Sequence, residues 1–300
     1  MTTPGGLWRR FGQGQWIVAY VFLAPAALVM LGVIAFPLLD GVRTAFTDRE
    51  IARAGEFIGW GNFSELAGDP DYWRAAWNSL VLTLGTVAVK ALLGMGSALI
   101  LMQPMRFRGF MRTLAFLPWA VPGLIAGLGW KWIYDEQAGV LGWLLLEYGL
   151  VDRPVYFLSD PSIALWSIGI AMVWHGLPFY TMMFLAALNS LPHQVTEAAH
   201  VDGAGPIRRF FEVTLPQMRD VIAVTLMLST IWTFNSFHMV FILTGGGPAM
   251  RTHILPTLAY EYSIVRSDLG LGSAALVATI PLFLVIIVIL TRRMLRKEMA

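Results

Sequence analysis

Cysteine is absent from this 300-residue chain, which excludes disulfides, thiolate metal centres and cysteine nucleophiles. Charge is scarce too: Asp, Glu, Lys and Arg supply 13% of the residues against 57% hydrophobic ones, where a soluble domain carries about twice that charged share. Lysine occurs only at Lys90, Lys131 and Lys297, and none follows a glycine. A phosphate-cradling Gly-Lys-Ser/Thr loop therefore has no place here. The histidines, at 175, 193, 200, 238 and 253, form no His-Glu-x-x-His helix and no other close pair, so neither a metal site nor a histidine-based catalytic site is expected.

What the chain does have is long apolar runs, with a mean hydropathy of +0.64. A bilayer core about 30 Å thick takes about 20 helical residues. Six stretches qualify: 16–39, 77–102, 113–134, 163–188, 221–243 and 270–291. Backbone groups in hydrocarbon must pair internally, which leaves helices or a closed barrel, and the short alternating segments of a barrel are missing. The expected fold is therefore an all-α integral membrane protein with six transmembrane helices. The first run has an apolar core of about 24 residues with no small-residue cleavage site after it, too long for a cleaved signal peptide. Residues 1–15 and 294–300 are read as tails flanking a six-helix transmembrane domain over 16–293. Between the third and fourth runs, Val140–Tyr148 reads as a short interfacial helix. Trp8, Trp16, Trp60, Trp73, Trp77 and Trp143 fall near the expected interfaces, as aromatic belts do.

Basic residues orient the runs. With both tails inside, the inner segments hold Arg9, Arg10, Arg106, Arg108, Arg112, Arg208, Arg209, Arg219, Arg292, Arg293, Arg296 and Lys297. The outer segments hold Arg43, Arg49, Arg53, Arg74, Arg153, Arg251 and Arg266, four of them in one loop rich in acidic residues. The bias favours N-in and C-in.

The loop over 189–218 is polar and broken by turns. Ser190 can cap a helix and Pro192 suits its first turn. That helix carries Glu197-Ala198-Ala199 and stops at Asp202-Gly203-Ala204, where glycine readily takes the left-handed conformation. A second helix, with Arg208 and Arg209, is expected from Pro206 to about Thr214, ahead of Pro216. The run Glu197…Gly203…Thr214-Leu215-Pro216 resembles the EAA loop of ATP-binding-cassette (ABC) importer permeases of the type I fold. On the far side, Leu243-Thr244-Gly245-Gly246-Gly247-Pro248 resembles the outer loop of the carbohydrate permeases of that family (the maltose and glycerol-phosphate type).

That resemblance implies the rest. Glu197, Ala198, Ala199, Asp202, Gly203, Ala204 and Arg208 would couple to an ATPase subunit, which binds ATP and Mg, so this chain carries no cofactor and is no enzyme. A second homologous permease, an ATPase dimer and a periplasmic or lipid-anchored solute-binding protein would be its partners, the last meeting Gly245, Gly246, Gly247 and Pro248. Nucleic acid has no part in it. The location implied is the bacterial cytoplasmic (inner) membrane.

Polar groups inside spans mark pathways. In the fifth run Ser229, Trp232, Thr233 and Ser236 fall on one helical face. Gly176, Phe179 and Tyr180 do so in the fourth, beside Pro178, which removes a helix hydrogen bond and should kink the span. Aromatic faces beside hydroxyls suit a sugar. Asn235 and His238 lie off that face and suit packing against the partner subunit. Lys90 lies deep in the second run, where a wet cavity, a partner carboxylate or an anionic solute would each answer it. An ion-coupled secondary transporter is the competing reading, but the six runs contain no acidic residue, and such carriers usually need one. A membrane enzyme lacks an acid–base pair or ligand set.

Overall fold

A computed structural model describes residues 13–281 and residue 284. Among these the regular elements are all helical, and extended pairing is limited to isolated bridges such as Thr47 with Phe57. The chain opens with α1 (Gln13–Val29), which passes through a wide turn over Met30–Ala35 into α2 (Phe36–Thr44). From Ala19 to Thr44 this is one 26-residue apolar helix, most of which the other described residues leave uncovered, while its Thr44 end is buried. A short α3 (Gly61–Gly68) leads to α4 (Pro70–Met102), 33 residues long. It starts ahead of the expected Trp77 because Asp69 caps it, accepting from the Asp71 amide at 2.8 Å, with Pro70 in the first turn.

The third run departs from expectation. It is two helices, α5 (Arg108–Ala120) and α6 (Gly123–Ile133), meeting at 93°. Val121 between them is extended (φ −76°, ψ 126°), as a residue preceding proline prefers, and Pro122 has no amide with which to continue the ladder. The interfacial helix is present as α7 (Val140–Glu147). By contrast α8 (Ala164–Ser190) runs unbroken through Pro178 for 27 residues.

α8 packs along α4 over a longer contact than any other helix pair among the described residues. Small residues permit it: a Cβ on Gly94 would sit 2.5 Å from Tyr180 Cβ, so any side chain at 94 would force the helices apart.

The loop after α8 folds as α9 (His193–Val201) and α10 (Pro206–Arg209), then a wide turn over Phe210–Thr214 and α11 (Leu215–Gln217). The helical path therefore continues past Pro216 instead of ending before it. Pro216 falls in the first turn of α11, where a missing amide costs nothing. Next come α12 (Arg219–Phe234) and α13 (Phe237–Leu243), bent by 44°. At the bend the Asn235 side chain donates to the Ile231 carbonyl at 2.9 Å and competes with the backbone ladder.

An element absent from the sequence reading follows. α14 (Leu255–Tyr260) continues into a wide turn over Glu261–Val265, with Leu258 and Tyr262 fully buried against α15 (Leu269–Val277), Ala45 and Leu66. Among the described residues, three helices are long and apolar enough to cross a membrane, or up to five if each bent pair is one span. The sixth expected span, 270–291, begins with α15 but lies largely outside the described residues, as do most of both tails.

Candidate functional site

α4 carries a buried polar stripe: Asn78, Ser79, Thr83, Thr86 and Lys90, spaced to share one helical face. Its upper end holds a loop. Asn78 Nδ2 donates to the Arg251 and His253 carbonyls at 2.8 and 2.9 Å, and Ser79 Oγ accepts from the Leu255 amide at 2.8 Å. Its lower end reaches a cavity. Lys90 is only 3% exposed, and its Nζ donates to Thr233 Oγ1 at 2.8 Å.

That cavity, of about 170 Å³, lies between α4, α5, α8, α12 and α13. It gathers Gly176, Phe179, Ser229, Trp232, Thr233 and Ser236, all singled out in the sequence. Phe179 and Trp232 meet edge to face with centroids 5.1 Å apart. Ser236 joins the others although α12 ends before it, because it sits in the bend that redirects the chain. Gly176 is required by close approach: a Cβ there would lie 2.8 Å from Lys90 Cδ.

Tyr180 is the exception. It is fully buried, with Phe184, Leu101 and Ala98, in the α4–α8 core and does not line the cavity, since one residue further along α8 turns it about 100° from Phe179. Conversely, Trp119, His175 and His238 line the cavity without having been assigned to it. His238 is exposed at the cavity, and a Cβ on Gly123 would stand 2.5 Å from its Nε2, so the glycine after the α5–α6 break makes its room. His175 Nε2 lies 3.0 Å from the Val121 carbonyl. A carbonyl only accepts, so Nε2 carries the proton and caps an acceptor left over by the same break. That break, invisible to hydropathy, sets Trp119 at the end of α5 beside the cavity and brings Gly123 against His238.

The 189–218 loop has another character. Gly203 takes φ +79° and the Ala204 amide bonds back to the Ala199 carbonyl at 3.0 Å, the glycine stop expected for α9. Glu197 and Asp202 are exposed, while Ala199 is turned inward. Ala198 lies beside them on α9. Arg208 Nε pairs with Glu212 Oε2 at 2.8 Å, both largely exposed. Around them Val201 is 86% and Ile207 75% exposed. A groove of about 910 Å³ runs from these residues to the ends of α4 and α8. Exposed apolar side chains grouped on a polar loop mark a contact surface.

The glycine loop beyond α13 is not slack. Gly245 and Gly246 have φ +61° and +92°, which suits glycine. A Cβ on Gly246 would overlap the His253 ring. The Gly247 amide bonds to the Thr244 carbonyl at 3.0 Å, Thr252 Oγ1 bonds to the Gly247 carbonyl, and Pro248 is half-buried beside them. His253 is buried, which holds its pKa below the usual histidine value although Glu261 and Asp71 pull it up.

Residues 90–297 match the family of binding-protein-dependent transport system inner membrane components. This chain belongs to that family. It is a membrane-embedded, non-catalytic permease subunit, and ATP hydrolysis falls to a separate subunit. The sulfoquinovosyl glycerol transport system permease protein of Agrobacterium fabrum is 33% identical over 294 residues, covering 97% of this chain and 95% of the relative. The trehalose/maltose transport system permease protein of Thermococcus litoralis is 33% identical over 269 residues, 89% of this chain and 90% of the relative. In three dimensions this permease resembles a chain of a bacterial ABC transporter involved in the import of the acidic polysaccharide alginate. The TM-score is 0.82 at 22% identity, over 95% of this chain and 96% of the other, a likeness of fold.

Proposed function

We propose that this permease forms half of the translocation pathway for a sugar or related polyol, across the bacterial inner membrane. The cavity carries the reading. It sets two aromatic rings, meeting edge to face, beside several hydroxyls, and a sugar offers CH faces to the one and OH groups to the other. The names of the two relatives point the same way, both being permeases for glycosyl compounds.

A second homologous permease closes the pathway from the other side. The 189–218 loop faces the cytoplasm, in line with the inner placement of the basic residues, and both tails lie on that side. Its α9, with Glu197, Ala198, Ala199 and Asp202, the Gly203-Ala204 turn and Arg208 beyond it form the knob that an ATPase dimer grips. ATP and Mg bind there and not in this chain. The Gly245–Pro248 turn, held rigid by Thr244 and Thr252, meets the solute-loaded binding protein outside. Closure of the ATPases on α9 tilts α8 and α12, which flank the loop, and the cavity changes the side to which it opens (alternating access).

The test is Trp232→Ala in the complete importer. Trp232 is 54% exposed, so its removal leaves assembly intact. ATP-driven sugar uptake into proteoliposomes should fall about tenfold, the loss of one stacking contact of about 1 kcal/mol plus misplacement of the ring. Uptake at the wild-type rate would refute the pathway.

A further inference from the structure

Lys90 is the feature of the cavity that a neutral sugar leaves unanswered. It projects from the middle of α4, passes over Gly176 in the space that an absent Cβ leaves free, and ends at the cavity wall. An ammonium has three donors. One goes to Thr233 Oγ1 at 2.8 Å, and among the described residues Thr233 is its only hydrogen-bond partner. No acidic side chain there lies within ion-pair distance of it. The other groups around the cavity are hydroxyls, indoles, a phenyl ring, thioethers and two imidazoles, none of them an anion. A charge this deeply buried is costly without a counter-charge, and a neutral side chain would avoid that cost.

We infer that the cavity receives an anionic group on the transported sugar, a carboxylate, sulfonate or phosphate ester, and that Lys90 is the residue that binds it. This rests on the sugar-permease reading above. Thr233 fixes the ammonium in place, Gly176 admits the approach, and Phe179 and Trp232 take the neutral part of the same molecule. The binding is built in from the α4 side. When the solute leaves, the Thr233 bond alone holds the ammonium, uncompensated and ready for the next anion.

The experiment uses the complete importer with its binding protein in proteoliposomes. The probe pairs share a skeleton and differ in charge: sulfoquinovosyl glycerol against glucosyl glycerol, and cellobiuronate against cellobiose. Wild-type complex should take up an acidic member of a pair in preference to its neutral one. Lys90→Gln, which removes the charge and keeps a polar side chain, should lower acidic uptake at least tenfold relative to neutral uptake. Lys90→Arg should restore most of the acidic uptake. Loss of both members alike in Lys90→Gln, with a poorly assembled complex, would make Lys90 a packing or inter-subunit residue and overturn the inference. Preference for the neutral members by the wild type would overturn it too while leaving the sugar reading standing. ATP-driven uptake of neither charge class by an assembled complex would overturn both.

Discussion

Lys90 and Glu197 are both charged and both on helices, yet the structure treats them oppositely. Lys90 is sealed between α4 and α8, where Gly94 and Gly176 let backbone and side chain pass at closest approach. Glu197 stands exposed on α9, beside Val201 and Ile207 that are exposed as well. The cavity region is defined by contacts already made within this chain. The 189–218 loop is defined by contacts it lacks. A substitution at the α4–α8 close approach beside Gly94 should therefore be read out in stability, and one in the loop in transport.

The sharpest break of that comparison is in the loop. Ile207→Asp adds a charge at a side chain 75% exposed. Surface changes of this kind stay within about 0.5 kcal/mol in stability, whereas a charge in a buried contact costs about 2 kcal/mol or more. Uptake should fall about 30-fold with the melting temperature of the isolated permease unchanged; a lowered melting temperature with uptake retained would make the loop an ordinary folded part of the bundle. Gly94→Val gives the converse. The added side chain has no room beside Tyr180, and overpacking costs about 1–3 kcal/mol, so thermal unfolding in detergent should move down while the surviving complexes transport normally.

The smallest effect concerns His253, in the loop pinned to α4 by Asn78 and Ser79. Burial holds it neutral. With its folded pKa below the unfolded value of about 6.5, its neutral form supports the fold fully above that pH. The support is lost as pH falls from there through the folded pKa. Melting temperature should therefore drop between pH 7 and 5, and the drop should be shallower in His253→Gln. Equal slopes in the two proteins would mean that His253 titrates as an ordinary exposed histidine.

Much of this was legible in residue order. Hydropathy located the helices α4, α8 and α12, because chain length in hydrocarbon is a one-dimensional property. The Gly203 stop was legible because a left-handed residue is a local demand, and so was the shared face of Ser229, Trp232 and Thr233, a matter of 3.6-residue spacing. The stripe Ser79, Thr83, Thr86 and Lys90 obeys the same spacing and could have been found by it. The 93° break at Val121–Pro122 was signalled only by a proline, and Pro178 shows that a proline does not decide: α8 runs straight through it while α5 and α6 part. α14 went unseen because its six residues are too few to separate from a loop.

The amino-acid order by itself determined that this protein lives in a bilayer, that it holds no phosphate-cradling loop, and which loop is polar enough to stand outside hydrocarbon. Those are properties of composition and local spacing, summed along the chain. Only the tertiary structure decided that Lys90 reaches Thr233, that His238 meets Gly123, and that Tyr180 belongs to the core and not to the cavity. Each depends on how two distant helices are set against one another, and that is fixed by close approach at particular glycines, a quantity no single segment contains.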